Sequence, residues 1–234
     1  MHSSLFTQQN ETGAVLLVKK KSLSTYTSRF KSFMLKKKLD NLMMPSFDNP
    51  FEKLTVQDIW PFSRFGEEKP TLLPLIMHLK KQHQVFLGPD ISVVFESKLL
   101  VWWHIQEMLL IEESQDIEGE LEAYNPLIPD QNQVTATLMI EISDPVQRQQ
   151  RLAQWWNILS YVSLNQEGVK SFCQPLSSFQ AATYGDPKAF SVNFISFPIT
   201  LQPDLPATLT VQHPEYSYQT VLPTLLVQAL KQGL

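Results

Sequence analysis

Between Leu99 and Glu113 the chain is apolar on every side of a helical wheel, broken only by His104, Gln106 and Glu107 before its acidic end. A helix without a polar face is stable only when other elements cover it all round. The rest of the sequence must therefore supply a cover on more than one side. A second constraint follows at Val134 to Ile142, where Val134, Ala136, Leu138, Ile140 and Ile142 alternate with Thr135, Thr137, Met139 and Glu141. Period-two alternation is the mark of a half-buried strand.

The flanking segments read in the same way. Thr55 and Asp58 mark a short helix from Val56, placing Ile59, Trp60 and Phe62 around it, and Gly66 to Pro70 is expected to break it. A second helix is expected from Thr71 to His83, with Leu72, Leu75, Ile76 and Leu79 on its buried face and His78 and His83 at the surface. Gly88-Pro89-Asp90 turns a hairpin between Val85 to Leu87 and Ile91 to Phe95. Gln115 to Tyr124 reads as a charged surface continuation of the buried helix, and Asn125-Pro126 ends it in a loop running to Gln133.

Asp144-Pro145 starts an amphipathic helix whose stripe is Leu152, Trp155, Trp156 and Leu159. Strands are expected at 160–164, 190–199 and 207–212, with a short one at 169–173, and a closing helix from Leu222 to Lys231. Helices and strands are interspersed without a βαβ repeat. The expected class is therefore α+β, a mainly antiparallel sheet with helices packed on one face.

Charge divides the chain. Of 19 basic and 23 acidic residues, eight and two respectively lie within residues 1 to 45, so that stretch carries about +6 and the remainder about −10. We read residues 1–45 as a basic leader and 46–234 as a single α+β domain. Three readings of the leader stay open: a disordered tail or a misassigned start with Met43 or Met44 as the true one, a membrane-surface helix or transit peptide, and a nucleic-acid-binding arm. The acidic body should repel nucleic acid. No apolar run reaches the roughly 20 residues that span a bilayer. Cys173 is the only cysteine, which excludes an intrachain disulfide and fits a cytoplasmic protein. Seven glycines form no phosphate-cradling loop, and no Gly-x-Ser-x-Gly elbow occurs.

Several segments together resemble one family: Leu54 to Ile59, VFLGPDISVVFE at 85–96, QEM at 106–108, AYNPLIPD at 123–130 followed by ATLMIE at 136–141, and HPEY at 213–216. They resemble the bacterial domain-of-unknown-function family numbered 3501, over residues 50–232. The resemblance implies a cytoplasmic protein of unknown biochemistry, in a genomic setting of redox or iron and peroxide metabolism. It also implies a glycine after the Pro-Asp pair; here Gln131 follows Asp130, and Asn132 is expected to take up the turn at positive φ.

Three constellations bear chemistry. His104 and Glu107 share a helix face, with Gln106 between them, and could ligate a metal or pass a proton; diiron helices, however, need two Glu-x-x-His copies, and the order here is reversed and single. The alternative is a buried polar pair satisfied by itself or by Lys98 or an arginine. Glu96 and Glu141 would do acid-base work if brought together, or pair with Lys98, Arg148 or Arg151. Tyr124, Asn125 and Asp130 frame a proline-punctuated loop that either walls a pocket or rigidly plugs the core through Leu127 and Ile128. Cys173 reads as a buried thiol. The leading expectation is an accessory protein that docks on a protein partner or small ligand, with a metal-dependent enzyme built on His104 and Glu107 as the alternative and leader-mediated membrane association as a third. No catalytic signature, cofactor or oligomeric state is read from the sequence.

Overall fold

The protein is described by a computed structural model over residues 47–176 and 189–234. Residues 1–45, read from the sequence as a leader, lie outside the described residues. Helix α1 spans Phe62–His83, followed by strands β1 Gln84–Phe86 and β2 Ile91–Phe95, and helices α2 Lys98–Ile111 and α3 Ile117–Tyr124. Strand β3 Val134–Ile140 and helix α4 Pro145–Gln154 come next, then β4 Val162–Gln166, β5 Val169–Phe172, β6 Gln174–Pro175, β7 Val192–Phe197, β8 Ala207–His213 and β9 Tyr216–Val221. Helix α5, Thr224–Gln232, closes the chain, with Gly233 in the left-handed conformation as its cap.

Every strand pairing is antiparallel, and the strands divide between two sheets, ordered β1-β2-β3-β7-β6 and β5-β4-β8-β9. The α+β class holds. One face of the first sheet, carrying Val93, Phe95, Ala136, Leu138 and Ile195, packs on Leu164, Leu209 and Val211 of the second and on Val227 of α5 in one apolar core. Its other face, carrying Thr135, Thr137 and Phe194, lies under α1, α2 and α3. This arrangement explains the wholly apolar α2: Trp102, Trp103 and Ile105 are all buried, on different sides of the helix.

Strand β3 is consequently buried on both faces, where alternation suggested one. Thr135 is fully inaccessible and donates its hydroxyl to the Leu127 carbonyl, the only way a buried hydroxyl is kept at low cost.

The N-terminal helices differ from expectation. Thr55 and Asp58 do form the expected capping box, but it opens only a 3-10 turn at Val56–Asp58. Helix α1 instead runs unbroken through Gly66, Pro70 and Pro74. Both prolines are exposed, so the carbonyls deprived of a partner face water, and tertiary packing of Phe65, Leu72, Ile76 and His83 outweighs the lost bonds. His83 is thus buried, not superficial: its Nδ1–H donates to the Phe95 carbonyl at 2.9 Å, and burial lowers its pKa, keeping the ring neutral.

Three smaller corrections share one cause, local chain geometry. Glu113 adopts φ 50° and separates α2 from α3, so the acidic stretch is a distinct helix capped by Asp116. Asn132 does not take positive φ; the Asp130 carboxylate accepts from the N–H groups of Asn132 and Gln133 and closes the turn without a glycine. Helix α4 ends at Gln154, which leaves Trp155 buried and Trp156 exposed. Strands β6 and β9 had no counterpart in the expected set.

Candidate functional site

Of the residues singled out in the sequence, His104, Gln106 and Glu107 lie on α2 but face in different directions, and the others are spread over the end of α3 and the loops after β2, α3 and β3. His104 points to the first sheet, where its ring meets Tyr124 edge-on at 4.5 Å and Phe194 at 6.4 Å, while Tyr124 and Phe194 lie 5.8 Å apart. Three helical and strand elements thereby fix the imidazole. Burial first, then the charge of Lys80, holds its pKa below the ordinary value, with Glu107 acting the other way. The Tyr124 phenol is pushed up by burial and by Glu120 and Glu112.

Glu96 follows β2 on the same side of the sheet. Its carboxylate accepts from the Thr137 hydroxyl at 2.7 Å, and burial raises its pKa to about 7 against the opposing influence of Thr137 and Lys80. Lys80, on α1, acts on both Glu96 and His104 and was not foreseen. Its signal was present: Phe65, Lys69, Leu72, Ile76, Lys80 and His83 keep helical spacing straight across Pro70.

Glu141 sits at the other end of β3, where Ser92 donates to it. Four residues of strand separate it from Thr137, about 13 Å, so Glu96 and Glu141 do not form a carboxylate pair. The expected cationic partners are engaged elsewhere. Lys98 is buried and reaches the Asn49 carbonyl and, at 3.9 Å, Glu52; Arg148 donates to the Ile142 carbonyl.

Glu107 still acts on His104 through its charge but pairs with Lys69, 3.1 Å away. Among the described residues, no three His, Cys, Asp or Glu side chains gather in a way that could hold a metal ion. Asn125 and Asp130 shape the chain: the Asn125 amide both donates to and accepts from the backbone of Leu54, and Lys53 donates to the Ile128 carbonyl. Leu127 and Ile128 are buried, as a core-plugging connector requires. Cys173 is buried, donates to the Leu159 carbonyl, and has its thiol pushed up to about 12 by burial.

Gln106 is placed differently. It is 2% exposed, its Nε2 has no hydrogen-bond partner, and it lines a pocket of about 450 Å³ on the side of α2 away from the sheet. The walls are Trp60 from the segment before α1, Phe62 and Phe65 from α1, Leu109 and Leu110 from α2, and Ile117 from α3. Trp60 is held edge-on to Trp102, whose indole N–H in turn donates to the Asp58 carbonyl, so the 3-10 turn and α2 fix the mouth. Arg64 stacks on the outer Trp60 ring at 3.9 Å. The volume falls within the usual range for small-molecule pockets, and apolar walls with a few polar groups, here Gln106, Ser114 and Gln115, are their usual composition. The sequence places Trp60 and Phe62 around a short first helix but does not show that they face α2 and α3 across a pocket, which only packing decides.

Residues 53–234 match the profile of a family described as Protein of unknown function (DUF3501). No curated protein matches the chain. Among solved structures, the chain is similar to a novel protein of unknown function from Burkholderia pseudomallei K96243, with a TM-score of 0.70 and 24% identity over 78% of this chain and 100% of that one. That likeness establishes a shared fold.

Proposed function

We propose that this chain, which belongs to the DUF3501 family of proteins of unknown function, is a cytoplasmic accessory protein that binds a small, largely apolar molecule carrying a hydrogen-bond acceptor. The observation that supports this reading is the unpartnered Nε2 of Gln106 at the wall of an apolar pocket. An amide buried without a partner costs roughly 1–3 kcal/mol. With the Gln106 amide turned into the pocket, a bound carbonyl or carboxylate oxygen would recover that loss, while Trp60, Phe65 and Leu109 would bury the apolar remainder. The acid-base groups near His104 lie on the opposite side of α2, and the polar lining of the pocket is Gln106, Gln115 and Ser114, whose hydroxyl oxygen accepts from the Asp116 N–H, with no acid or base beside it in the lining. This is the profile of a binder.

The test is ligand binding by the full chain. Medium-chain fatty acids, their amides and benzamide would be screened by calorimetry, beside mass spectrometry of ligand carried through purification. We expect at least one class to bind, with affinity weakened about tenfold or more by Gln106→Leu, the loss of about one well-placed hydrogen bond. Absence of binding by all three classes, or equal binding by Gln106→Leu, would overturn the proposal. Leu110→Trp, which fills the pocket from its wall, should abolish binding while leaving the fold intact.

A further inference from the structure

A second pocket, of about 320 Å³, lies where α4 meets the β8–β9 turn and the turn before β2. It is chemically unlike the first. Arg151, Asp90 and Glu215 line it together with Trp155, Tyr216 and Tyr218. Part of it falls in the His213-Pro214-Glu215-Tyr216 segment, for which the apolar pocket gives no use.

Two observations describe its polar groups. Trp155 lines the pocket with its ring, while its indole N–H, which has no hydrogen-bond partner, is sealed from the pocket. Arg151 spreads over the Trp155 ring, 5.6 Å from its centre, with only a 3.5 Å contact to Gln154. Among the described residues Arg151 forms no ion pair with Asp90 or Glu215, although all three border the same space. Opposite charges that share a pocket without pairing leave room for a group that bridges them.

The frame around this space is rigid. The Tyr216 hydroxyl donates to the Leu87 carbonyl and accepts from the Asp90 N–H, tying the turn before β2 to β9. Tyr216 packs between Trp155 and Tyr218, each ring centre 4.7 Å away. Gly88 has φ 75°, and a Cβ there would meet the Tyr216 hydroxyl and Tyr218 ring at 2.6 Å, so backbone and rings are in close contact. The phenol of Tyr216 is therefore committed to the frame, which leaves Arg151 as the cationic donor, the hydroxyls of Ser217 and Tyr218 beside it, and Asp90 and Glu215 as anionic acceptors.

We infer that this pocket binds a small zwitterion of the α-amino acid class. Its carboxylate would take the fork of the Arg151 guanidinium over the Trp155 ring; its ammonium would face Asp90 and Glu215, beside the Tyr218 ring. Arginine suits the carboxylate because its fork donates two parallel hydrogen bonds. The two acids give the pocket a net negative balance, which disfavours a simple anion and favours a ligand that brings its own positive charge. At this volume the pocket suits a compact molecule, close to the lower limit for ligand sites.

The experiment is a titration of the full chain, followed through the indole N–H resonance of Trp155, which Trp155→Phe assigns. Alanine, serine and glutamate are the probes, with propionate and propylamine as the carboxylate-only and amine-only controls. At least one amino acid should shift the Trp155 resonance saturably below about 10 mM, and both controls should bind at least about tenfold more weakly. Arg151→Met and Glu215→Gln, both at exposed positions, should each weaken binding about tenfold without changing the unfolding midpoint. No shift with any amino acid would overturn the inference; so would propionate binding as well as alanine, which would make the site one for anions. Because the Gln106 pocket is separate, neither result bears on the apolar ligand proposed there.

Discussion

The side-chain amide of Asn125 pairs with the backbone of Leu54 on both edges: Nδ2 donates to the Leu54 carbonyl and Oδ1 accepts from the Leu54 N–H, each at 2.9 Å. This two-way bond joins the end of α3 to the segment that carries the capping box and Trp60. It holds one wall of the apolar pocket in place. Asn125→Leu should therefore destabilise the protein by about 2–4 kcal/mol, two part-buried backbone groups losing their partners at once. Asn125→Asp keeps the acceptor but sets a carboxylate against a carbonyl, and should be destabilised more at pH 8 than at pH 4. Urea unfolding of both variants checks the expectation.

The Glu96 carboxyl should make stability depend on pH in an unusual direction. Its folded pKa is raised to about 7 from 4.5, so the folded state holds a proton that the unfolded chain releases. The contribution is fully present below about pH 4.5 and is lost as the pH rises through about 7, by up to about 3 kcal/mol. Part of the residue reaches the surface, so hydration will reduce that figure. Glu96→Gln keeps an acceptor for Thr137 and should flatten the profile between pH 5 and pH 8. An unchanged slope in that variant would assign the pH dependence to another group.

Gly88 and Gly168 both adopt positive φ, at 75° and 78°, but only one is crowded. Gly168→Ala meets open space and should cost about 1 kcal/mol in backbone strain alone. Gly88→Ala must also displace the Tyr216 and Tyr218 rings, and should cost distinctly more. Denaturation midpoints for the pair separate conformation from packing.

The Cys173 thiol, buried and pushed up to about 12, should resist iodoacetamide at pH 8 in the folded protein. It should react at an ordinary rate in urea. Rapid labelling of the native chain would show that the Leu159 contact opens readily.

Glu107 and Lys69 are about a quarter exposed each and pair at 3.1 Å. Glu107→Gln should change stability by less than about 1 kcal/mol, and the effect should shrink in high salt. A larger loss accompanied by loss of a bound metal would restore the alternative in which His104 and Glu107 act together.

What the sequence determined by itself was local. Alternation at 134–140, the hairpin around Gly88, the Asp144-Pro145 cap and the all-round apolarity of α2 follow from side-chain period and turn chemistry, which act over a few residues. The same locality explains the errors. Pro70 and Pro74 are breakers in isolation, and α1 runs through them only because Phe65, Leu72 and Ile76 find cover from distant elements. Tertiary structure alone decided how the strands divide between two sheets, why both faces of β3 are buried, and which way the residues of α2 point. His104, Gln106 and Glu107 are neighbours along the chain, yet they meet Tyr124, an apolar pocket and Lys69 respectively. A helix turns about 100° per residue, so adjacency in sequence sends side chains to different environments, and only packing assigns each its chemistry.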